Sequence, residues 1–132
     1  MKKALSPGSP CPCGSGLSYG QCCGALHAGA PAPDARALMA SRYSAYALGL
    51  EDYLRDTWAQ EKRPQRLDLE NDGTKWLGLR IRSFRETGED RAEVEYVARG
   101  RVGGGAAFRL HEKARFERRQ GRWLYVDGDL LP

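Results

Sequence analysis

The second half of the chain alternates between hydrophobic and polar residues with the period of two that β-strands require. Four such segments follow one another from residue 75, and short turns containing glycine separate them at 87–90, 103–105 and 120–121. Short turns between successive strands predict an antiparallel meander with one apolar face. That face is predicted to carry Leu77, Leu79, Ile81, Ala92, Val94, Tyr96, Ala98, Phe108, Leu110, Ala114 and Phe116, with the last strand at 123–126.

The pattern before the strands is that of amphipathic helices. Apolar residues recur at helical spacing between residues 35 and 48. Asp34 predicts the N-cap, because its carboxylate can accept a hydrogen bond from the first turn, and Gly49 predicts the end. A shorter helix is predicted at 51–58, and residues 65–73 carry at most one helical turn. Helices followed by one sheet with a face to cover predict an α+β fold.

Two charged residues interrupt the predicted apolar faces. Arg42 lies in the apolar stripe of the first long helix, between Leu38 and Tyr46. Glu112 lies on the apolar face of its strand. Because a lone buried charge is costly while a paired one can persist, we predict that Arg42 and Glu112 approach each other, directly or through water, between helix and sheet. The alternative is that each reaches solvent at an edge.

All four cysteines lie within one short N-terminal segment, at positions 11, 13, 22 and 23. A disulfide framework would spread its cysteines, whereas one metal ion needs several soft ligands that converge. Cys11, Cys13, Cys22 and Cys23 are therefore predicted to bind one Zn²⁺, although Cys-x-Cys and Cys-Cys are tighter than common zinc spacings. Two alternatives stay open at this point, a redox dithiol and inert free thiols. His27 is a fifth candidate ligand, but a surface position is the simpler interpretation.

Composition and charge narrow the function classes. The formal net charge is +4, and the basic residues are interspersed with acidic ones, which disfavours nucleic acid as a partner. No segment approaches the roughly 20 apolar residues of a membrane span. The start MKKAL is followed by Ser6-Pro7-Gly8 where a secretory signal would continue with apolar residues. We therefore expect a cytoplasmic protein, and no common nucleotide, hydrolase or metalloprotease motif is present.

The cysteine segment resembles a known motif. The run CPCGSGLSYGQCCG at 11–24 is similar to the SEC-C motif, the small zinc hairpin found in the translocase ATPase SecA and in other bacterial proteins. The resemblance implies the same four cysteines as zinc ligands. In SecA the motif contacts a chaperone and the ribosome. The loop at 17–21 lacks the lysines usual there, which weakens the expectation of ribosome binding.

The whole chain resembles the YchJ family of uncharacterised bacterial proteins. The residues that carry the resemblance are the cysteine hairpin, ALMASRYSAYALG at 37–49, DYLRDTW at 52–58, WLGLRI at 76–81, FRLHEKARFER at 108–118 and GRWLYVDGD at 121–129. The resemblance implies a nuclear-transport-factor-2-like (NTF2-like) cone, with helices packed on a curved antiparallel sheet. With this, the expected domains are a zinc hairpin at 1–27, a linker at 28–33 and the cone at 34–132.

Neither the pattern nor the resemblance names a reaction. The first hypothesis is an adaptor that docks on a protein partner through the zinc hairpin, with self-association through the sheet left open. The alternative is a small-molecule-binding protein or enzyme, because cones of this kind commonly enclose a pocket. Its predicted lining is Arg42, Tyr46, Trp58, Trp76, Tyr96, Glu112 and Trp123. A roomy cavity with a free carboxylate would favour the alternative, whereas mutual neutralisation of Arg42 and Glu112 in a space filled by aromatic residues would disfavour it. A third hypothesis is a thiol redox protein.

Overall fold

The computed structural model describes residues 5–69 and 73–132, and their order of elements confirms the α+β prediction. The predicted turn within 65–73 falls partly on residues that lie outside this description. The helices are α1 (Cys23–His27), α2 (Ala35–Leu48) and α3 (Glu51–Asp56), with 3-10 turns at Tyr19–Gln21 and Gln60–Lys62. The strands are β1 (Thr74–Gly88), β2 (Arg91–Val102), β3 (Ala107–Arg119) and β4 (Arg122–Leu130), paired antiparallel in the order β1-β2-β3-β4.

Helix α2 has the bounds and caps that its sequence predicts. The Asp34 carboxylate accepts a hydrogen bond from the Ala37 N–H at 2.8 Å. At the other end Gly49 adopts a φ of 74°, and its N–H donates back to the last turn. Both signals are local, so their effect does not depend on the rest of the fold. Across residues 5–69 and 73–132, no helix is long and apolar enough to cross a membrane.

Helix α3 ends earlier than predicted, at Asp56 instead of residue 58. The chain leaves the helix there because it pairs with the free edge of β4. The Tyr125 N–H donates to the Thr57 carbonyl at 2.8 Å, and the Ala59 N–H donates to the Tyr125 carbonyl at 2.8 Å. This pairing brings Trp58 against the Tyr125 ring, with centroids 5.2 Å apart.

One residue of the predicted apolar face lies on the other side of the sheet. Leu77 is 46% exposed, whereas Trp76 and Leu79 pack against the core under α2. The register of β1 against β2 shifts between Trp76 and Gly78. Because a β-bulge inserts an extra residue, it reverses the alternation locally and turns Leu77 outward. The prediction for Leu77 is therefore wrong.

The cysteine segment packs directly against α2. Cys11, Cys13 and Cys23 are buried in the same hydrophobic cluster as Leu38 and Met39 of α2. A hydrogen bond of 3.8 Å also joins the Cys11 Sγ to the Ser44 Oγ on that helix. The small N-terminal hairpin therefore shares a core with the helix and sheet.

Candidate functional site

The four cysteines converge on one point. Their Sγ atoms all lie within 4.8 Å of one another. The Cys13 and Cys22 sulfurs are 3.6 Å apart, and the Cys22 and Cys23 sulfurs are 4.0 Å apart. A tetrahedron with Zn–S bonds of about 2.3 Å has edges of about 3.8 Å. The arrangement of the sulfurs thus fits a single tetrahedral metal ion.

Backbone geometry explains how such closely spaced cysteines converge. Gly14 and Gly16 adopt φ values of 81° and 87°, so the chain reverses between the two cysteine pairs. The two arms are joined by hydrogen bonds from the Cys11 N–H to the Leu17 carbonyl and from the Tyr19 N–H to the Ser9 carbonyl. Cys22 then precedes the first residue of α1, which places adjacent cysteines on a chain that turns into a helix.

The protonation of the cluster also favours a cation. The hydrogen bond with the Cys23 thiol lowers the pKa of Cys13 to about 4. The same hydrogen bond raises the pKa of Cys23, and burial raises that of Cys22. One thiolate therefore makes its neighbours hold their protons, because adjacent negative sulfurs repel. A divalent ion supplies the positive charge that allows all four to ionise.

His27 holds the hairpin to α2 and is half-buried, so the surface interpretation is wrong. Its Nε2 lies 2.8 Å from the Ser41 carbonyl, which can only accept, so Nε2 carries the proton. Its Nδ1 therefore accepts from the Tyr19 hydroxyl at 2.5 Å. The ring also meets the Tyr53 ring edge-on, with centroids 4.6 Å apart. The sequence analysis missed this role, because the partners of the ring belong to segments that only the tertiary structure brings together.

A cavity of about 280 Å³ lies between α2 and the sheet. Leu130 both lines it and is 71% exposed, so the cavity opens to solvent beside the end of β4. The lining consists of Met39, Arg42, Tyr43, Tyr46, Trp58, Trp76, Tyr96, Ala98, Leu110, Glu112, Tyr125 and Leu130. Six of the seven residues proposed from the sequence are among these.

Trp123 is the exception, and the sequence reasoning missed Tyr125. Trp123 is buried elsewhere in the core, where the Arg118 Cζ lies 5.3 Å from the centre of its ring. Tyr125 is two residues further along β4, and the register places it opposite Phe116. The period of two in β4 puts both aromatic residues on the same face, but only the pairing with 57–59 shows which one reaches the cavity.

Arg42 forms one end of the polar lining. It is 3% exposed, and its Nη1 donates to the Leu54 carbonyl at 2.8 Å and to the Thr57 Oγ1 at 2.7 Å. Its Cζ lies 4.9 Å from the centre of the Trp58 ring and 4.8 Å from that of the Tyr125 ring. Burial lowers the pKa of Arg42, because only neutral groups receive its charge at these distances.

Glu112 forms the other end. It is 8% exposed, and its two carboxylate oxygens accept hydrogen bonds from the Tyr96 hydroxyl at 2.5 Å and the Tyr125 hydroxyl at 2.8 Å. Burial, together with the neighbouring carboxylate, raises the pKa of both phenols. Two phenol donors thus hold this carboxylate in one orientation.

Of the two forms predicted for the approach of Arg42 to Glu112, the direct ion pair is not formed, and the contact through water stays a prediction. Both side chains line the same cavity, but among the described residues no ion pair joins them. Tyr125 stands between the two charges, with its ring beside Arg42 and its hydroxyl on Glu112. The edge-reaching alternative is also excluded, since both side chains are buried.

Fold and site together define a class of protein, an α+β domain with a lined cavity under its long helix and a four-cysteine hairpin packed on that helix. Residues 34–128 match the family described as YchJ, middle NTF2-like domain, and residues 9–25 match the SEC-C motif. The chain therefore belongs to the YchJ family, and both resemblances noted in the sequence are confirmed.

Similar proteins cover nearly the same length. A UPF0225 protein of Xanthomonas campestris pv. campestris is 50% identical over 123 residues, which cover 92% of this chain and 95% of the relative. A UPF0225 protein of Polaromonas sp. is 49% identical and covers 98% of this chain and 99% of the relative. The solution structure of a SEC-C motif containing protein from Rhodopseudomonas palustris is similar with a TM-score of 0.81 at 37% identity, covering 92% of this chain and 98% of that one.

Proposed function

We propose that this protein binds a small molecule in the cavity between α2 and the sheet. The supporting observation is a cavity of about 280 Å³ that exposes one buried guanidinium and one buried carboxylate without an ion pair between them. Protein interiors are close-packed, and cavities that approach roughly 300 Å³ are typical of ligand sites. This geometry favours the small-molecule hypothesis over the adaptor hypothesis.

The test is to fill the cavity from within. Ala98 is buried and lines it, so Ala98→Leu adds three carbons to the space. The matched control is Ala107→Leu, which adds the same atoms at an exposed position of β3. Protein purified gently from its own cells is denatured, and the released small molecules are compared by mass spectrometry. We expect a compound that accompanies the wild type and Ala107→Leu but not Ala98→Leu.

Two negative observations together would contradict the proposed ligand binding. The proposal fails if no compound accompanies the wild type and if no member of a metabolite library raises its melting temperature in a saturable way, since any ligand of the folded state must do so. Circular dichroism confirms that both variants fold, so that loss of a compound from Ala98→Leu reports on the cavity alone.

For the cysteine cluster we propose Zn²⁺ as the resident ion, with a structural role. Zinc accepts four thiolates in a tetrahedron, and sites with four protein ligands leave no open position for catalysis. Thiolate ligands also need a reducing compartment, which supports a cytoplasmic location. Elemental analysis is expected to find about one zinc per chain and thiol titration no disulfide. Metal-free protein with bridged cysteines would instead support the redox alternative.

One specific observation supports the adaptor hypothesis as a second candidate function. Leu17, at the tip of the hairpin, is 50% exposed, and exposed apolar tips are suited to contact a partner. The test compares proteins captured from a lysate by the wild type, by Leu17→Ser and by Leu77→Ser, which removes an equally exposed leucine from the sheet. A partner lost only with Leu17→Ser supports the adaptor, and identical captures contradict it.

A further inference from the structure

Arg42 is a buried positive charge that has no anionic partner among the described residues. Its Nη1 donates hydrogen bonds to the Leu54 carbonyl and the Thr57 hydroxyl, and both are neutral. The Tyr46 hydroxyl, also neutral, shares a hydrogen bond with the guanidinium, and the aromatic rings of Trp58 and Tyr125 lie beside it. Within the described part of the chain no carboxylate forms an ion pair with it. A buried cation of this kind is costly to the fold unless an anion approaches it.

Glu112, the buried negative charge of the same cavity, does not need a counter-ion in this way. Each of its oxygens already accepts a hydrogen bond from a phenol, one from Tyr96 and one from Tyr125. Two hydroxyl donors disperse the negative charge of a carboxylate without a cation. The ring of Tyr125 also separates this carboxylate from the guanidinium, so an anion beside Arg42 is not in direct contact with Glu112.

The walls of the cavity favour a flat apolar body. The Trp76 ring meets Tyr43 edge-on at 5.8 Å and Phe108 edge-on at 5.7 Å, which fixes one aromatic wall. The Trp58 ring, held edge-on against Tyr125, forms the wall beside Arg42. Aromatic rings pack well in offset or edge-to-face contact with such walls, and a volume of about 280 Å³ admits a single ring with one or two substituents.

We propose, resting on the ligand-binding function proposed above, that the cavity takes a small aromatic carboxylate whose carboxylate pairs with Arg42. Because Nη1 already donates to Leu54 and Thr57, the carboxylate of the ligand would pair with the N–H donors on Nη2 and Nε, whose planar spacing matches two carboxylate oxygens. The ring lies between the aromatic walls, and its far substituent points toward Glu112, where a hydroxyl can donate to the carboxylate. The anionic group at Arg42 is the part of the ligand that this site selects.

The test uses three probes of matched shape with the zinc-loaded protein. They are 4-hydroxybenzoate, 4-hydroxybenzyl alcohol and 4-hydroxybenzylamine, which differ in the charge of one group. Binding is measured by titration calorimetry and by the fluorescence of the tryptophans, two of which line the cavity. A hydrogen bond to a charged group supports an affinity at least about tenfold higher for the acid than for the alcohol.

Two variants test whether the carboxylate of 4-hydroxybenzoate binds at Arg42. Arg42→Gln removes the buried charge, and Arg80→Gln removes an exposed arginine from the outer face of the sheet as the matched control. We expect Arg42→Gln to lose about tenfold or more in affinity for 4-hydroxybenzoate and Arg80→Gln to lose less than about twofold. If Arg42→Gln does not fold, the preference of the wild type for the acid decides the question.

Each remaining outcome overturns this inference and is distinct from failure of the proposed function. Equal or tighter binding of the alcohol or the amine would leave ligand binding intact but remove the anion from it. Equal affinities of wild type and Arg42→Gln for 4-hydroxybenzoate would mean that the carboxylate binds somewhere other than at Arg42. Absence of binding by all three probes would exclude the class, while the compounds that accompany the purified protein test the proposed function independently.

Discussion

Removal of one hydroxyl tests whether Glu112 is held as a carboxylate by two phenols. Tyr125→Phe deletes the O–H that donates to the Glu112 Oε2 at 2.8 Å and leaves the ring with its contacts to Arg42 and Trp58. A hydrogen bond to a charged group contributes about 1.5–3 kcal/mol. We therefore expect the free energy of unfolding to fall by about 2 kcal/mol and the melting temperature by roughly 6–10 °C.

The assay is urea denaturation of the zinc-loaded protein, with Tyr43→Phe as the matched control. Tyr43 is also buried, but its hydroxyl bonds to the backbone of Gly78, which is neutral. Its loss should cost only about 1 kcal/mol. In a Glu112→Gln background the cost of Tyr125→Phe should also fall to about 1 kcal/mol, whereas the cost of Tyr43→Phe should not change.

The double-mutant cycle also has a result that would contradict the role of the Tyr125 hydroxyl. If Tyr125→Phe costs no more than Tyr43→Phe, and if its coupling to Glu112→Gln lies within about 0.5 kcal/mol of zero, then the carboxylate does not depend on this phenol. The description of Glu112 as a satisfied anion, on which the assignment of the ligand charge to Arg42 rests, would then be wrong.

Three further perturbations have defined outcomes. Removal of the metal with a chelator should lower the melting temperature and make residues 11–23 the first site of protease cleavage, while far-UV circular dichroism keeps its strand signal. Burial lowers the pKa of His27, so the unfolded chain takes up the proton first. Stability should therefore be complete above about pH 6.5 and fall at lower pH, and His27→Gln should flatten that slope. Gly128→Ala should destabilise by about 1–3 kcal/mol, because its Cβ would lie 2.6 Å from the Glu112 Cδ.

Each of these three predictions has a control and a result that would contradict it. The same chelator saturated beforehand with zinc should change nothing, and cleavage that starts in the sheet would contradict a local role of the metal. The proposed ligation of a metal by the cysteines would contribute equally to wild type and His27→Gln, so identical slopes between pH 5.5 and 7.5 would exclude His27 as the cause. Gly128→Ala should cost almost nothing in a Glu112→Ala background, and an unchanged cost there would mean that the strain lies in the backbone.

Elements governed by neighbouring residues could be predicted. Asp34 and Gly49 bound α2 at the predicted residues, because capping hydrogen bonds reach only three or four positions along the chain. The four strands followed from alternation and short turns in the same way. The burial of Arg42 and Glu112 followed from their positions within apolar stripes.

Details that depend on register could not be predicted. A bulge in β1 turns Leu77 outward, and the pairing of 57–59 with β4 ends α3 early and selects Tyr125 for the cavity in place of Trp123. A bulge depends on the partner strand, and that partner lies some 20 residues or more away in sequence. No local pattern carries this information.

The sequence by itself determined the fold class, because hydrophobic period and capping act between near neighbours, and it indicated the family through the resemblance of its motifs. It also predicted that the four cysteines converge, because they lie within one short segment. Only the tertiary structure decided that His27 holds the hairpin to α2 and that Tyr125 separates Arg42 from Glu112. Those outcomes depend on which side chains from distant segments compete for the same buried donors and acceptors. Only the packed chain defines that competition, because burial removes the water that would otherwise satisfy them.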